Sequence, residues 1–212
     1  RPPMERLDVV LSSGAPGPLA LLDAAFDMFP AAAIMEAYGW TEGGWLTYEI
    51  KDRAALVPHS VGWPMMRSDV DLRNEAGGSC AVGEPGEVVA RPLTTFHGYL
   101  GRDDATAAAT TADGFCRSGD VGIMLPDGRL TVVDRLNDMI ISGGENVYCA
   151  EVERVLERDD TVIASAVVGV PDELFGEEVK AFVQLAPGID GSRETAERIL
   201  DAARKQLARF KI

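Results

Sequence analysis

The sequence predicts a mixed fold, α/β followed by α+β, and three observations support this prediction. The first forty residues alternate between strand and helix patterns, residues 60–133 contain short apolar runs separated by turn-forming residues, and residues 137–212 contain both helix and strand patterns. We therefore expect a βαβ unit, then a small antiparallel β-region over about residues 60–133, then a compact unit of helices and strands at the C-terminal end.

The composition limits the functions that this chain can perform. It has 212 residues, 46% of them hydrophobic, which is enough for the core of one large domain or of two smaller ones. The net charge is −14, which argues against non-specific binding of nucleic acid, since that requires a basic face. An acidic chain can still bind a nucleotide, because a few local donors are enough to hold a phosphate.

The cysteines and histidines do not indicate a disulfide framework or a metal centre. Cys80, Cys116 and Cys149 are odd in number and far apart, which indicates reduced thiols in a cytoplasmic protein. His59 and His97 lack acidic or cysteine neighbours at ligand spacing, and no GxSxG motif occurs, which disfavours a zinc enzyme and a serine hydrolase. No apolar run approaches the ~18 residues of a membrane span, and no signal-peptide pattern is found, so we expect a cytoplasmic location without a membrane span.

The first forty residues predict one βαβ unit. Residues 9–11 and 34–38 have the pattern of buried strands, and residues 19–29 place apolar side chains at helical spacing. Ligands of such units bind at the C-terminal ends of the strands, where Gly14 and Gly39 are found. Ordinary strand-ending turns explain these two glycines equally well.

Residues 117–153 concentrate polar side chains and glycines. Gly119-Asp120 predicts a turn that aims a carboxylate, and Asp127-Gly128 predicts a hairpin turn between residues 121–125 and 130–133. Residues 134–138 interrupt two strand patterns, as a hinge does, and Gly143-Gly144 lets backbone approach a ligand closely. In the C-terminal part of the chain, the apolar spacing predicts helices over residues 150–156 and 192–210, with strands over residues 162–170 and 179–185.

Three sequence motifs resemble a known family. RSGD (residues 117–120), DRLNDMIISGGENVYCAEVE (residues 134–153) and YGWTE (residues 38–42) resemble core motifs of the adenylate-forming acyl-CoA synthetases, also called AMP-dependent synthetases and ligases. The resemblance covers nearly the whole chain in the family's order. It implies that residues 1–136 are the C-terminal portion of a large nucleotide-binding domain, with a small antiparallel β-barrel-like subdomain over about residues 60–133. It also implies that residues 137–212 are a small mobile α+β C-terminal domain lacking its last segment.

The resemblance implies an ATP site in the first domain. The implied adenine contacts are the loop of Gly14, Ala15 and Pro16, with Tyr38 and Gly39 beside it. At the phosphates, Thr41 hydrogen-bonds the α-phosphate and Glu42 helps to hold Mg²⁺. Asp120 accepts hydrogen bonds from the ribose hydroxyls, and Arg135 reaches the ribose or a phosphate. Thr41, Glu42 and Arg135 are the catalytic candidates. Residue chemistry alone leaves other readings open: Thr41 as a helix N-cap, Trp40 as a core residue or an acyl-pocket wall, and Arg135 in a surface salt bridge.

The resemblance also implies a CoA site in the small domain. Gly143, Gly144 and Glu145 resemble the loop that lines the pantetheine tunnel, and Asn137 stands at the hinge, where the family usually carries Asp or Lys. Cys149 replaces a common proline and is not expected to be a catalytic thiol. Phe175 either lies against the CoA adenine or anchors its loop.

The implied function is that of a fatty or aryl acid:CoA ligase, an enzyme of fatty acid metabolism. Such an enzyme activates a carboxylic acid with ATP and Mg²⁺ and transfers the acyl group to CoA. The family's phosphate loop and its adenylation lysine are absent from these residues, and one lost donor costs ~3 kcal/mol in the transition state, so we expect the chain to be an inactive fragment when alone.

Two other functions remain open at this point. One is an adenylation module that loads a carrier-protein thiol, and the other is a non-catalytic nucleotide-binding or interaction remnant. An oligomer is compatible with the sequence. If the protein is an enzyme of either kind, we expect Asp120 and Arg135 to converge on one nucleotide beside Thr41 and Glu42.

Overall fold

The computed structural model describes residues 7–15, 17–91, 94 and 96–212. The chain divides into two compact units, Arg1–Val132 and Val133–Ile212, called here the first and the second unit. No helix in the described ranges is long and apolar enough to cross a membrane. The predicted division into a large and a small enzymatic domain after residue 136 stays a prediction.

The first unit begins with the predicted βαβ unit. Strand β1 (Val9–Ser13) pairs in parallel with strand β2 (Ala33–Trp40), and helix α1 (Leu19–Met28) connects them. Helix α1 buries Leu22, one of the side chains whose spacing predicted it. The parallel register runs from Val9 opposite Ala33 to Ser13 opposite Ala37, so both strands end at the same edge of the sheet.

Six further strands extend this sheet. They are β3 (Gly44–Ile50), β4 (Ser60–Pro64), β5 (Asp69–Arg73), β6 (Pro85–Arg91), β7 (Cys116–Met124) and β8 (Leu130–Arg135). The strand order is β1-β2-β3-β4-β8-β7-β6-β5. Strands β7 and β8 are neighbours joined by the turn at Asp127 and Gly128, which confirms the predicted hairpin.

Several local predictions for this unit were wrong. Strand β3 was not expected, and residues 98–100, within the region expected to form short strands, have no regular structure. The same region contains a short helix, α2 (Asp103–Ala108). In the part of the chain that the structure describes, the β-barrel-like subdomain is an open antiparallel extension of the sheet, with β5 at its edge.

An apolar layer holds the strands of the first unit together. Its buried members come from five strands, because each strand turns alternate side chains inward: Leu46, Val61, Leu72, Val88, Ala90, Leu130 and Val132. Each large aliphatic side chain buried in this way contributes about 1.5–3 kcal/mol. Tyr38 and Trp40 of β2 and Met124 of β7 pack against this layer, which therefore supports the two strands that carry the candidate site.

The second unit is an α+β structure with a four-stranded sheet. Its elements are β9 (Ile140–Ser142), β10 (Glu145–Val147), α3 (Cys149–Leu156), β11 (Val162–Asp172), β12 (Gly176–Leu185) and α4 (Arg193–Arg204), and the strand order is β10-β9-β12-β11. The predicted helix over residues 192–210 ends earlier, at Arg204. Leu207, beyond the end of the helix, still packs in the core, where it is 8% exposed.

A polar cluster ties helix α4 to the loop before β11. Arg198 forms an ion pair with Asp159 and donates to the Thr161 hydroxyl at 2.8 Å. That hydroxyl donates to Asp159 Oδ1 at 2.6 Å, and the Thr161 backbone N–H donates to the same oxygen at 3.0 Å. The hydrogen bond from Arg198 and those from Thr161 lower the pKa of Asp159 to about 2.

We predict that Asp159→Asn destabilises the second unit at neutral pH by about 1–2 kcal/mol, because it removes the charge that pairs with Arg198. The loss is no larger because Arg198 is half exposed and solvent screens its charge. The folded-state pKa of Asp159 is depressed, so its contribution is present at neutral pH. It should disappear as the pH falls from about 5 to about 2. Urea unfolding followed through the NMR signals of β11 and β12 measures this. Asp160→Asn, the same change at an exposed neighbour, should have little effect, and equal losses in both variants would contradict the assignment.

Candidate functional site

A hydrogen bond joins two distant parts of the first unit. Tyr38, near the end of β2, donates its hydroxyl to Asp120 Oδ2 at 2.7 Å, although the two residues are 82 positions apart. Asp120 is buried, with 7% of its surface exposed. The predicted adenine contact and the predicted ribose contact are therefore brought together.

Asp120 is positioned by a bulge in β7. Glu87 pairs with Val121 and Val89 pairs with Arg117, so residues 118–120 of β7 stand opposite Val88 alone. Gly119 has φ +71°, a left-handed conformation that glycine adopts without strain. The sequence predicted a turn here, and the structure has a bulge inside a strand, which re-aims the carboxylate without ending the sheet.

Ser118 stabilises this bulge from within. Its hydroxyl donates to the Val88 carbonyl oxygen at 2.7 Å and accepts from the Asp120 backbone N–H at 3.0 Å. The hydroxyl thereby satisfies backbone groups that the interrupted strand pairing would leave without partners. The RSGD motif thus contributes a serine that shapes the bulge, a glycine that allows it and the aspartate that it presents.

The YGWTE motif forms the end of β2 and the following hairpin turn. Residues 41–43 are turn residues between β2 and β3, so the reading of Thr41 as a helix N-cap is wrong. The rings of Tyr38 and Trp40 lie 5.9 Å apart between centroids, tilted by 43°. A Cβ on Gly39 would come within 2.0 Å of the Gly44 carbonyl oxygen, so the hairpin can close only with glycine there.

Glu42 has an aromatic partner that the sequence did not reveal. Tyr99 donates its hydroxyl to Glu42 Oε1, and this hydrogen bond is the first cause that raises the pKa of Tyr99. The Thr106 hydroxyl accepts from the Tyr99 backbone N–H at 2.9 Å, and the ring of Phe96 packs edge-on at 5.1 Å. Residues 98–106, expected to be scaffold only, therefore support a carboxylate of the candidate site.

A buried group of charges underlies the β1–α1 loop, and the sequence analysis missed it. The Gly17 backbone N–H donates to Glu36 Oε1 at 2.6 Å, and Lys51 forms an ion pair with Glu36 Oε2 at 2.9 Å. Gly14, with φ +98°, and Ala15 are exposed in this loop, and Pro16 lies outside the described residues. Charged residues within otherwise apolar strands were the signal that could have revealed this network.

The predicted hinge lies against the start of helix α3. Asp134 accepts from the backbone N–H of Arg135 at 2.7 Å and from that of Ala150 at 3.1 Å. The Cys149 thiol donates to the Asp138 carbonyl oxygen at 2.8 Å. The exposed 3₁₀ turn Leu136–Asp138, which contains Asn137, is thus attached to α3 on both sides.

The Cys149 thiol is held in its protonated form. Burial, followed by the charges of Asp134, Glu153 and Asp138, raises the pKa of Cys149 to about 11. A protonated thiol is a hydrogen-bond donor and a poor nucleophile. This property agrees with a structural role for the cysteine that replaces the family's proline.

The predicted CoA loop is a tight hairpin. Glu145 pairs with Ser142, which leaves Gly143 and Gly144 as a two-residue turn with φ of +59° and +85°. The Gly143 N–H donates to the Phe175 carbonyl oxygen at 2.8 Å, and the half-exposed Phe175 ring lies next to Gly143. The turn and the β11–β12 loop therefore lie side by side.

The predicted residues fall into two groups. The first unit contains Gly14, Ala15, Tyr38, Gly39, Thr41, Glu42 and Asp120. The second unit contains Arg135, Asn137, Gly143, Gly144 and Glu145. Within the first unit the structure joins Tyr38 to Asp120. The convergence of Asp120 and Arg135 on one nucleotide stays a prediction.

Comparison with family models gives two matches in chain order. Residues 1–100 match the model described as AMP-binding enzyme, and residues 151–212 match the AMP-binding enzyme C-terminal domain.

Curated relatives align with almost the whole chain. The feruloyl-CoA synthase of Amycolatopsis sp is 41% identical over 99% of this chain and 42% of its own length. A 3-[(3aS,4S,7aS)-7a-methyl-1,5-dioxo-octahydro-1H-inden-4-yl]propanoyl:CoA ligase of Mycobacterium tuberculosis is 37% identical over 98% of this chain and 39% of its own. The chain thus spans about two fifths of the length of these relatives.

Solved structures share the fold. ATP-bound MatB from Rhodopseudomonas palustris has a TM-score of 0.84 at 30% identity, covering 95% of this chain and 39% of its own. The o-succinylbenzoate CoA synthetase of Bacillus subtilis, in complex with its acyl-adenylate intermediate, has a TM-score of 0.83 at 29% identity, covering 96% and 40%. The amide bond synthetase McbA from Marinactinospora thermotolerans has a TM-score of 0.84 at 35% identity, covering 96% and 40%.

We predict that Gly39→Ala destabilises the first unit by about 3 kcal/mol, the upper end for an overpacked position, because the new methyl group meets backbone atoms of Gly44 that cannot rotate away. Chemical unfolding followed by tryptophan fluorescence measures this, since all three tryptophans lie in the first unit. Gly78→Ala is the matched control, because its Cβ has ordinary contacts from 3.5 Å. Equal stability of the two variants would contradict the assignment.

Proposed function

The chain belongs to the AMP-binding enzyme family, and we propose that it contributes a nucleotide site and a CoA-binding C-terminal domain to a fatty or aryl acid:CoA ligase. The proposed enzyme joins a carboxylic acid to CoA with ATP as the energy source. Relatives that are acid–CoA ligases support this class, and similar solved structures with bound ATP or acyl-adenylate support the nucleotide.

The Tyr38–Asp120 hydrogen bond is the observation that carries this proposal. It places an aromatic ring and a buried carboxylate side by side at the end of β2. In the proposed complex, the ring packs near adenine and the carboxylate accepts both ribose hydroxyls. A carboxylate has acceptor capacity for several donors, so the Tyr38 bond orients Asp120 without exhausting it.

Thr41 and Glu42 would act at the phosphates. A threonine hydroxyl suits a phosphoryl oxygen, and Glu42 offers a carboxylate to Mg²⁺. The described residues contain no group of three or more His, Cys, Asp or Glu side chains that could hold a metal ion. The single carboxylate of Glu42 fits Mg²⁺, which proteins often hold through one or two carboxylates together with substrate phosphates and water. The ion, when bound, would neutralise phosphate charge, while the Tyr99 bond keeps the Glu42 carboxylate oriented.

The second unit would serve the thioester step. Arg135 is proposed to contact the ribose or a phosphate, and Asn137 to act as the hinge that lets the small domain present a second face. The Gly143–Gly144 turn and Glu145 would line the pantetheine path. The exposed ring of Phe175 beside that turn gives the CoA adenine a stacking surface.

The proposed chemistry has two balanced steps. A carboxylate oxygen of the acid attacks the α-phosphorus of ATP, the bond to the bridging oxygen breaks, and pyrophosphate leaves. The CoA thiol then attacks the acyl carbonyl carbon, loses its proton, and AMP leaves with the acyl–phosphate oxygen. The chain's own residues bind and orient the nucleotide in both steps.

We predict that Asp120→Asn weakens AMP binding by about tenfold to hundredfold, because hydrogen bonds to a charged group contribute about 1.5–3 kcal/mol and the amide is a weaker acceptor. Isothermal titration calorimetry on the protein expressed from the complete reading frame measures this. Asp160→Asn, an exposed aspartate of the second unit, is the charge-matched control. Unchanged AMP affinity in Asp120→Asn would exclude the ribose contact.

The function itself is tested on the same protein with a panel of aryl, medium-chain and long-chain acids. We expect pyrophosphate release that depends on one class of acid and on Mg²⁺, followed by an acyl thioester when CoA is added. The 212 residues alone should release no pyrophosphate above background, because they lack the phosphate loop and the lysine.

Other products would point to other functions. Thioester formation only on a phosphopantetheinylated carrier would identify an adenylation module, and amide formation with an added amine would identify an amide synthetase. AMP binding without pyrophosphate release from any acid would identify a non-catalytic nucleotide-binding protein.

A further inference from the structure

We infer that Glu36 and Lys51 are positioning residues for the nucleotide site: their buried ion pair holds the loop between β1 and α1 through the Gly17 N–H. This inference rests on the proposed function and on the family resemblance, which implies that residues 14–16 of that loop lie against adenine. No feature of the proposed chemistry requires either charge, so the pair needs another explanation.

The bonds around Lys51 account for all of its donors. Its ammonium nitrogen lies 2.9 Å from Glu36 Oε2, 2.7 Å from Glu49 Oε2 and 2.6 Å from the Ser60 carbonyl oxygen. The Lys51 side chain is 1% exposed. An ammonium group has three protons, so its capacity is matched by these acceptors.

Each carboxylate of the cluster lies beside a cation. Glu36 and Glu49 share Lys51, and Arg129, which also pairs with Asp127 at 2.7 Å, lies 3.2 Å from Glu49 Oε1. Burial raises the pKa of Glu49, but the hydrogen bonds from Lys51 and Ser60, the charge of Lys51 and the bond from Arg129 outweigh it, so the pKa is lowered overall. Its neighbours therefore hold Glu49 in its charged form.

Stability alone does not explain such a cluster. A buried ion pair can often be replaced by apolar side chains of similar volume without loss of stability. What apolar side chains cannot supply is an acceptor for the buried Gly17 N–H, which lies 2.6 Å from Glu36 Oε1. A carboxylate can act as that acceptor in the interior only when a cation balances it.

The same strand links this anchor to the nucleotide contacts. Glu36 and Tyr38 are two positions apart on β2, so their side chains point to the same face. Glu36 holds the β1–α1 loop, and Tyr38 holds Asp120. Strand β2 thereby fixes the distance between the proposed adenine loop and the proposed ribose carboxylate.

Two double variants separate the acceptor from the charge. Glu36→Gln with Lys51→Met removes the ion pair but keeps an oxygen opposite Gly17, whereas Glu36→Leu with Lys51→Met removes both. In each, Glu49 keeps Ser60 and Arg129 as partners. The two proteins therefore have the same net charge and differ in one acceptor.

We expect the leucine variant to bind AMP about tenfold more weakly than the glutamine variant, because a loop that is not held in place must be ordered on binding. Ribose 5-phosphate, which lacks adenine, should bind both variants equally. Calorimetric titrations give both constants. Equal AMP affinities, or a parallel loss for ribose 5-phosphate, would overturn the inference.

Hydrogen exchange tests the loop without any ligand. The amides of Gly14, Ala15, Gly17 and Leu19 should exchange faster in the leucine variant and at the wild-type rate in the glutamine variant. If neither double variant folds, Glu36→Gln alone should keep wild-type protection, and faster exchange in it would overturn the inference. A wild-type protein that binds no AMP but shows the expected exchange pattern would refute the proposed function and leave the loop anchor standing.

Discussion

Strand β2 imposes the constraint on which the candidate site depends. It lies inside the sheet between β1 and β3, yet it carries Glu36 and Tyr38 on one face. Buried polar groups must have hydrogen-bond partners, so each side chain brings another segment of the chain to the strand. Glu36 brings the β1–α1 loop and Lys51, and Tyr38 brings the bulge of β7. The fold around the site follows from satisfying these two side chains.

The parts of the fold that could be predicted have local signals. The βαβ unit follows from a change of hydrophobic period, and the β7–β8 hairpin follows from Asp127-Gly128 between two apolar runs. Strand β3 was missed because the preceding YGWTE motif suggested a binding loop or a helix start. The end of α4 was missed because Leu207 continues the helical spacing of Ile199 and Ala203, and no Gly or Pro marks a stop after Arg204.

The sequence predicts candidate site residues but not the connections between them. Short motifs point to Tyr38, Glu42 and Asp120 as candidates, since their residue types suit a nucleotide. Their partners lie far away in sequence: Tyr99 is 57 positions from Glu42, and Asp120 is 82 from Tyr38. Such pairings depend on strand order and on a bulge, neither of which leaves a local signal. A charged residue within an apolar strand, as at Glu36, signals that a partner exists without telling which one.

Cys149 has a consequence for the chemical durability of the chain. Burial and the neighbouring carboxylates raise its pKa to about 11, so the thiol is protonated at neutral pH. Peroxides and disulfides react with the thiolate, so the sulfur that holds the 3₁₀ turn of Asn137 reacts slowly with oxidants. The redox state of the surroundings therefore has little effect on the attachment of that turn to α3, although a sulfur atom forms this attachment. A proline, as in the family, would be equally insensitive to oxidation.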